Sequence, residues 1–210
     1  MQNAEIRLAQ IEDARRILEI YAPYVAETSL TLTSVVPTLE QVAQTMLTIK
    51  KHYPYLVCSL DDKVVGFAYA YRQSPHAAYL WNADLAIFID PEFQGLGIAT
   101  ALYTALFQIL KIQGYCNLYA VITIPNDASV ALHKHFGFSE LVVMKKSGFK
   151  LGRWHDNLYM ELNIPGCADP AEHGRPLPMQ KLKQNELDTI FAMASLLLSN
   201  DLPLARNRGI

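Results

Sequence analysis

Between Ala77 and Gly114 the apolar pattern changes period once, and the change falls on a turn with two glycines. "AAYLWNADLAIFI" (77–89) is rich in strand formers, and "DPEFQGLGIAT" (90–100) interrupts it. From Gly97 onward Ile98, Leu102, Ala105, Leu106 and Ile109 recur at helical spacing as far as Gly114. This stretch dictates a strand, a tight turn and a helix, in that order. The first backbone N–H groups of such a helix face the turn without intrahelical partners. They can hold phosphate oxygens through amides and helix dipole, with no Lys or Arg in the turn.

Two familiar nucleotide motifs fail here. A dinucleotide fingerprint needs a third glycine where Thr100 stands, and it must open a βαβ unit, which the preceding strands do not make. A Walker loop must end in GK[ST], and none is present. What remains is a cradle of amides over Gln94, Gly95, Leu96, Gly97, Ile98, Ala99 and Thr100.

The rest of the chain supplies the frame. "AEIRLA" alternates as a strand and leads into a helix with Ile11, Ala14, Ile17, Leu18 and Tyr21 on one face. Thr38 and Gln41 have capping-box spacing ahead of a Leu39, Val42, Met46, Ile49 stripe. "YLVCSL" and "VVGFAYAYR", separated by "DDK", form a hairpin, and the 77–89 run extends it to a meander. After the Gly97 helix come a strand over "YCNLYAVIT", a helix over "ASVALHKHF", and two strands in "GFSELVVMKKSGFK" and "DNLYMELNI". Residues 165–178 hold four prolines and two glycines without periodicity, so the main domain is expected to span 1–165, with a linker over 166–180. Residues 181–210 carry an amphipathic helix and tail. Its face of Leu182, Leu187, Ile190, Phe191 and Ala194 has to be covered, by the same domain or by a second subunit.

Composition narrows the function. With 18 Lys plus Arg against 20 Asp plus Glu, the 210-residue chain has no general field for nucleic acid or anionic lipid. No window approaches a membrane span, and the charged start does not resemble a signal peptide. Cys58, Cys116 and Cys167 are odd in number and far apart, which argues against a disulfide framework or a structural metal site and for a reducing, cytoplasmic setting. Cys58 and Cys116 sit in apolar runs and read as inert core residues.

"QGLGIA" matches the Q/R-x-x-G-x-G/A turn of the GNAT (GCN5-related) N-acetyltransferases, and the order of elements resembles theirs. Within that superfamily the chain is most similar to the phosphinothricin and methionine sulfoximine acetyltransferases. The likeness runs from about Glu5 to Asn163 through "YAPYVAETSLT", "YPYLV", "VVGFAYA", "AAYLW", "NDASVALHKHFGF" and "GFKLGRWHDNLYM". The resemblance implies an α/β (α+β) fold with a central mixed, mostly antiparallel twisted sheet flanked by helices. It implies an acetyl-CoA-dependent transfer to the amine of a small amino-acid-like acceptor, by direct attack in a ternary complex. It also implies a homodimer.

The same resemblance assigns residues. Gln94 to Thr100 would bind the pyrophosphate, and the backbone of Ile87, Phe88 and Ile89 the pantetheine, as an added strand would. Asp84 stands where the family usually has a Glu base; being shorter, it would work through a water. His133 would donate to the leaving thiolate or relay protons. Asn126 would contact the CoA arm while capping its helix, and His135 is a further cofactor candidate. Tyr24, Thr28, Arg72, Ser74, His76, Tyr79, Lys150 and Trp154 are expected around the acceptor. The subgroup's Arg pair before "AAY" is replaced by Ser74 and His76, so the clamp for a carboxylate or phosphinate is lost. Protein N-termini or polyamines as acceptors, and a non-catalytic acyl-CoA-binding module, remain open on the sequence.

Overall fold

A computed structural model describes residues 3–167, 171 and 174–205. Positions 168–170, 172 and 173 of the expected linker, and 206–210 of the expected tail, lie outside the described residues. Strand β1 (Ala4–Leu8) is followed by a single 3-10 turn, α1 (Ala14–Glu27) and α2 (Leu39–Ile49). The capping box before α2 is formed as its spacing predicts, with Gln41 N donating to Thr38 Oγ1 (3.2 Å) and Thr38 N donating to Gln41 Oε1 (2.8 Å). The hairpin of β2 (Tyr55–Leu60) and β3 (Lys63–Arg72) turns through Asp61 and Asp62, both at positive φ. Strand β4 (Asn82–Ile89) starts later than its β-rich sequence suggests. Ala77–Tyr79 close a 3-10 turn after Pro75, in which Tyr79 N donates to His76 O at 3.1 Å.

Helix α3 (Ile98–Gln113), β5 (Asn117–Ile124), α4 (Asp127–His135), β6 (Ser139–Lys150), β7 (Arg153–Asn163) and α5 (Gln184–Ala205) complete the order. The seven strands lie as β1-β2-β3-β4-β5-β7-β6. Every neighbouring pair is antiparallel except β4 with β5, which the α3 crossover joins in parallel. That parallel ladder is short: Asn82, Ala83 and Asp84 pair with Asn117, Leu118 and Tyr119. Beyond Asp84 and Tyr119 the two strands part, although β4 continues to Ile89 and β5 to Ile124.

The two faces of the sheet carry separate cores. On one, Ile98, Leu102, Leu106 and Ile109 of α3 pack with Leu118, Ala120 and Met160; on the other, Ile17 and Ile20 of α1 and Met46 of α2 pack with Val57 and Phe67. The C-terminal helix joins the first core. Leu187, Ile190, Ala194 and Leu198 of α5 are buried against α3 and β1, and Ile6 N donates to Ser195 Oγ at 2.9 Å. Burying three of those aliphatic side chains is worth on the order of 6 kcal/mol. The apolar face is thus covered by its own chain. No described helix is long and apolar enough to cross a membrane.

The cysteines differ from expectation. Ile164 N donates to Cys116 O at 2.8 Å, which carries the chain after β7 back past the start of β5 and brings Cys167 beside Cys116, with Cα atoms 5.2 Å apart. The two are joined by a disulfide. A separation of 51 residues between two unremarkable cysteines carries no local signal for this pairing. Cys58 is the inert core residue expected, fully buried, with its thiol pushed up to about 12 by that burial.

Candidate active site

The parting of β4 from β5 opens a cleft of about 860 Å³ lined by Leu85 to Ile89 on one side and Ala120 to Thr123 on the other. On its β3 side β4 is fully paired, from Arg72 with Ala83 to Gly66 with Ile89. Past Asp84 its other edge has no strand partner, so alternate backbone groups of Leu85 to Ile89 are available to a ligand lying alongside.

The glycine turn closes one end of this cleft. Asp90 Oδ1 accepts from Glu92 N at 3.1 Å, and its carboxylate is held by Arg16, whose Nε also donates to Val64 O at 3.0 Å. Gly95 and Gly97 both have φ of +76°, the left-handed region that glycine enters without cost. Gly97 is the N-cap of α3, and the first α3 ladder bond runs from Ala101 N to Gly97 O at 3.0 Å. The amides of Ile98, Ala99 and Thr100 come before that bond, at the positive end of the helix dipole, and all three residues line the cleft. The geometry fits a pyrophosphate.

Register fixes which side chains share the opposite side. Asp84, Ala86 and Phe88 of β4 lie opposite Tyr71, Tyr69 and Phe67 of β3, on the face that α1 covers. Tyr119 pairs with Asp84 and puts Val121 and Thr123 on that same face, and Thr123 pairs with Asn157 of β7. Asp84 therefore stands at the fork, at the foot of an aromatic wall. Burial pushes its carboxyl up to about 6, the range that suits a general base near neutrality.

On α4, Asn126 lines the cleft and caps the helix by accepting from Ser129 N at 3.2 Å. His133 also lines it, only 3% exposed, between two partners. Its Nδ1 is 2.7 Å from Ser129 O, which can only accept, so Nδ1 carries the proton; Nε2, 3.1 Å from Tyr103 Oη, then accepts from Tyr103. Burial holds the imidazole below its ordinary pKa. The neutral ring thus has no proton on Nε2 to give a thiolate, and it orients Tyr103, which itself lines the cleft.

The structure brings the expected cofactor residues together more completely than the acceptor residues. Ile87, Phe88, Ile89, Gln94, Gly95, Gly97, Ile98, Ala99, Thr100 and Asn126 all line the cleft. Leu96 instead packs on the core, and His135 is exposed, with its ring against Phe136. Tyr24 lines the cleft, but its hydroxyl is committed, donating to Ile89 O and accepting from Gln94 Nε2 (2.9 Å). Thr28 caps α1, its Oγ1 donating to Tyr24 O at 2.8 Å. Arg72 serves its own turn, donating to Ser74 O (2.6 Å) and to Pro75 O. Ser74, His76 and Tyr79 stay on that exposed segment, outside the cleft lining. Trp154 is 56% exposed, packed edge-on against Phe149. Lys150 is buried, and its Nζ donates to Thr31 O at 2.7 Å, fastening the loop that ends α1. That loop seats Leu32 on Gly148, where an added Cβ would lie 2.6 Å from Leu32 Cδ1.

Residues that sequence reasoning did not select complete the chamber: Tyr21, Tyr69, Tyr71, Tyr103, Thr31, Thr33 and Asn157. The alternation of Phe67, Tyr69 and Tyr71 along β3 was the one available signal for this wall.

This fold and cleft define an acyl-group transferase of the GNAT type. A model of the GNAT acetyltransferase domain matches residues 6–159, and the chain belongs to that family. It is 30% identical over 166 residues to the phosphinothricin N-acetyltransferase of Streptomyces viridochromogenes, covering 79% of this chain and 91% of that protein. It is 29% identical over 164 residues to the L-methionine sulfoximine/L-methionine sulfone acetyltransferase of Pseudomonas aeruginosa, covering 77% and 95%. The crystal structure of a phosphinothricin acetyltransferase from Sinorhizobium meliloti in complex with acetyl-CoA, the cosubstrate of the family, superposes with a TM-score of 0.75. That protein is 32% identical, with 83% of this chain and 94% of that one covered.

Proposed function

We propose that this chain is an acetyl-CoA-dependent N-acetyltransferase acting on the primary amine of a small amino-acid-like acceptor in a ternary complex. The observation that carries the reading is the fork itself. One cleft joins the amides of Gly95, Gly97 and Ile98 to Thr100 with the unpaired edge of Leu85 to Ile89; Asp84, whose carboxyl is pushed up to about 6, immediately precedes that edge on the last β4–β5 rung, just outside the described lining. The relatives named for phosphinothricin and methionine sulfoximine support an acceptor of amino-acid size.

The thioester supplies an activated acetyl carbon. The amides of the turn and of Ile98 to Thr100 hold the diphosphate, and the free edge of β4 hydrogen-bonds the pantetheine arm. Asp84, through a water, takes one proton from the acceptor ammonium; the freed nitrogen lone pair forms the C–N bond to the acetyl carbon, the C–S bond breaks, and the second proton lost from nitrogen passes through water to the departing CoA thiolate. His133 acts as a positioning residue that keeps the Tyr103 hydroxyl fixed beside the departing sulfur. No cysteine nucleophile is needed; Cys58 lies in the core, and Cys116 and Cys167 are bonded to each other.

The protein is also proposed to pair as a homodimer through β6. This edge strand exposes Leu141, Val142, Val143 and Met144 at 37–52% each, an apolar row that an edge strand does not ordinarily leave bare. Thiol release from acetyl-CoA, with mass spectrometry of the product, tests the enzymatic reading across amino acids, their amides, and sulfoximine and phosphinate analogues. N-acetylated product equimolar with released CoA is expected. CoA binding without turnover of any amine contradicts the proposal.

A further inference from the structure

Helix α1 reaches the glycine turn through Tyr24, in its last turn. The ring is 8% exposed and packs edge-on against Phe88 of β4, with centroids 5.3 Å apart. Its hydroxyl reaches further, donating to Ile89 O and accepting from Gln94 Nε2 at 2.9 Å. Burial pushes the phenol above its ordinary pKa, so it stays a donor at neutral and mildly alkaline pH.

Both partners bear on the path of a cofactor. Asp90 N donates to Val65 O at 2.8 Å, and β4 pairs with β3 in unbroken antiparallel register. Alternate residues of such a ladder face the partner strand, so Asp84, Ala86 and Phe88 turn their backbone groups to β3. Leu85, Ile87 and Ile89 turn theirs to the open edge. Of the carbonyls on that edge, Ile89 O is taken by Tyr24. A chain lying alongside can pair with Leu85 and Ile87 but loses its next acceptor at Ile89.

The other partner begins the glycine turn. Gly95 and Gly97 both sit at φ +76°, and nothing lies within 4 Å of a Cβ placed on Gly95. A glycine-jointed segment with open space beside it is ordered by what holds its ends. Its far end is the N-cap of α3, and its near end is the exposed Gln94, whose side chain is fastened to Tyr24. One hydroxyl thus ties the last residue of β4 to the first of the turn, across the 3-10 segment Pro91–Phe93.

Resting on the acetyltransferase reading above, we propose that Tyr24 is a positioning residue for acetyl-CoA and not an acceptor contact: its hydroxyl sets where the pantetheine leaves β4 and holds the turn in the conformation that receives the diphosphate. Gln94 then serves the cofactor through Tyr24.

The test compares wild type, Tyr24→Phe, Gln94→Met and the double variant. Calorimetry gives Kd for CoA, and thiol release gives kcat/KM for acetyl-CoA and for S-acetylpantetheine, which keeps the thioester and the arm but has no diphosphate. Tyr24→Phe is expected to raise Kd for CoA about five- to tenfold and to lower the ratio of kcat/KM for acetyl-CoA over S-acetylpantetheine by a similar factor, with acceptor KM within about twofold of wild type. Gln94→Met should do the same, and the double variant should be no worse than either single. A general loss of structure would lower both thioesters alike and leave their ratio in place. An unchanged ratio in a folded Tyr24→Phe overturns the proposal, as does a raised acceptor KM with CoA binding intact. Losses that multiply in the double variant overturn the bridge between Tyr24 and Gln94. If Tyr24→Phe does not fold, Gln94→Met at its exposed position decides by the same ratio. A wild type that binds CoA and acetylates no amine overturns the acetyltransferase reading, and the Kd comparison alone then decides this one.

Discussion

Replacing Asp84 by Asn keeps the shape of the fork and removes the carboxylate that β4 places there. Because burial raises the Asp84 pKa to about 6, the carboxylate is almost fully ionised at pH 8. At pH 5 only about a tenth of the molecules have it ionised. Wild-type kcat should therefore fall about tenfold per unit below pH 6, and Asp84→Asn should lose that limb along with a factor of about 10² to 10⁴ at the plateau. Stability provides the control. A carboxyl whose folded pKa lies above its ordinary 3.8 contributes stability that is complete below that value and is lost as pH rises through about 6. At pH 8 the variant has no charge to desolvate, so its Tm should equal or exceed that of wild type. The assay is kcat against pH from 5 to 9 with acetyl-CoA and acceptor saturating, accompanied by thermal melts at pH 8. A variant that keeps kcat within about twofold of wild type, with the limb near pH 6 intact, would refute the assignment of Asp84 as base.

Gly95→Ala meets no atom within 4 Å but must hold φ at +76°, so a strain of about 1 kcal/mol should appear chiefly as a raised KM for acetyl-CoA. An unchanged KM would mean that the amide at that position does not face the diphosphate. Lys150→Met leaves the Thr31 carbonyl without its donor and should cost about 1 to 3 kcal/mol in a denaturant melt. It should also raise KM for the acceptor more than for acetyl-CoA, since only the loop on the acceptor side is released. Reducing the Cys116–Cys167 bridge opens a 51-residue loop and should lower stability by about 4 kcal/mol. Three titratable thiols in the denatured, unreduced protein would contradict the bridge. Val142→Asp on the exposed edge strand should convert a dimer to a monomer in sedimentation, and a wild-type monomer at high concentration would oppose the dimer proposal.

The half of the cleft proposed to hold the cofactor could be traced in the sequence because it depends on local backbone chemistry. A glycine turn, the start of a helix and the strand before them are contiguous in sequence, and their order fixes where the amides point. The acceptor half is assembled from β3, β5, β7 and the loop after α1, so its membership follows from register rather than from any motif. Arg72, Ser74, His76 and Tyr79 precede β4 in sequence, but the turn at Pro75 keeps them outside the cleft lining. Lys150 was sought as a ligand contact and is found fastening backbone. His133 was legible by position, whereas its tautomer depends on Ser129 O and Tyr103 Oη, which only packing brings together. The C-terminal helix showed its apolar face in the sequence; that α3 and β1 cover that face could be seen only in the fold.

A crystal structure with acetyl-CoA tests the central claim most directly. The diphosphate should lie on the amides of residues 95–100, the pantetheine along the free edge of Leu85 to Ile89, and the acetyl carbon on the side of the fork that holds Asp84. A cofactor seated elsewhere, or a thioester on the far side of β4 from Asp84, would contradict the account.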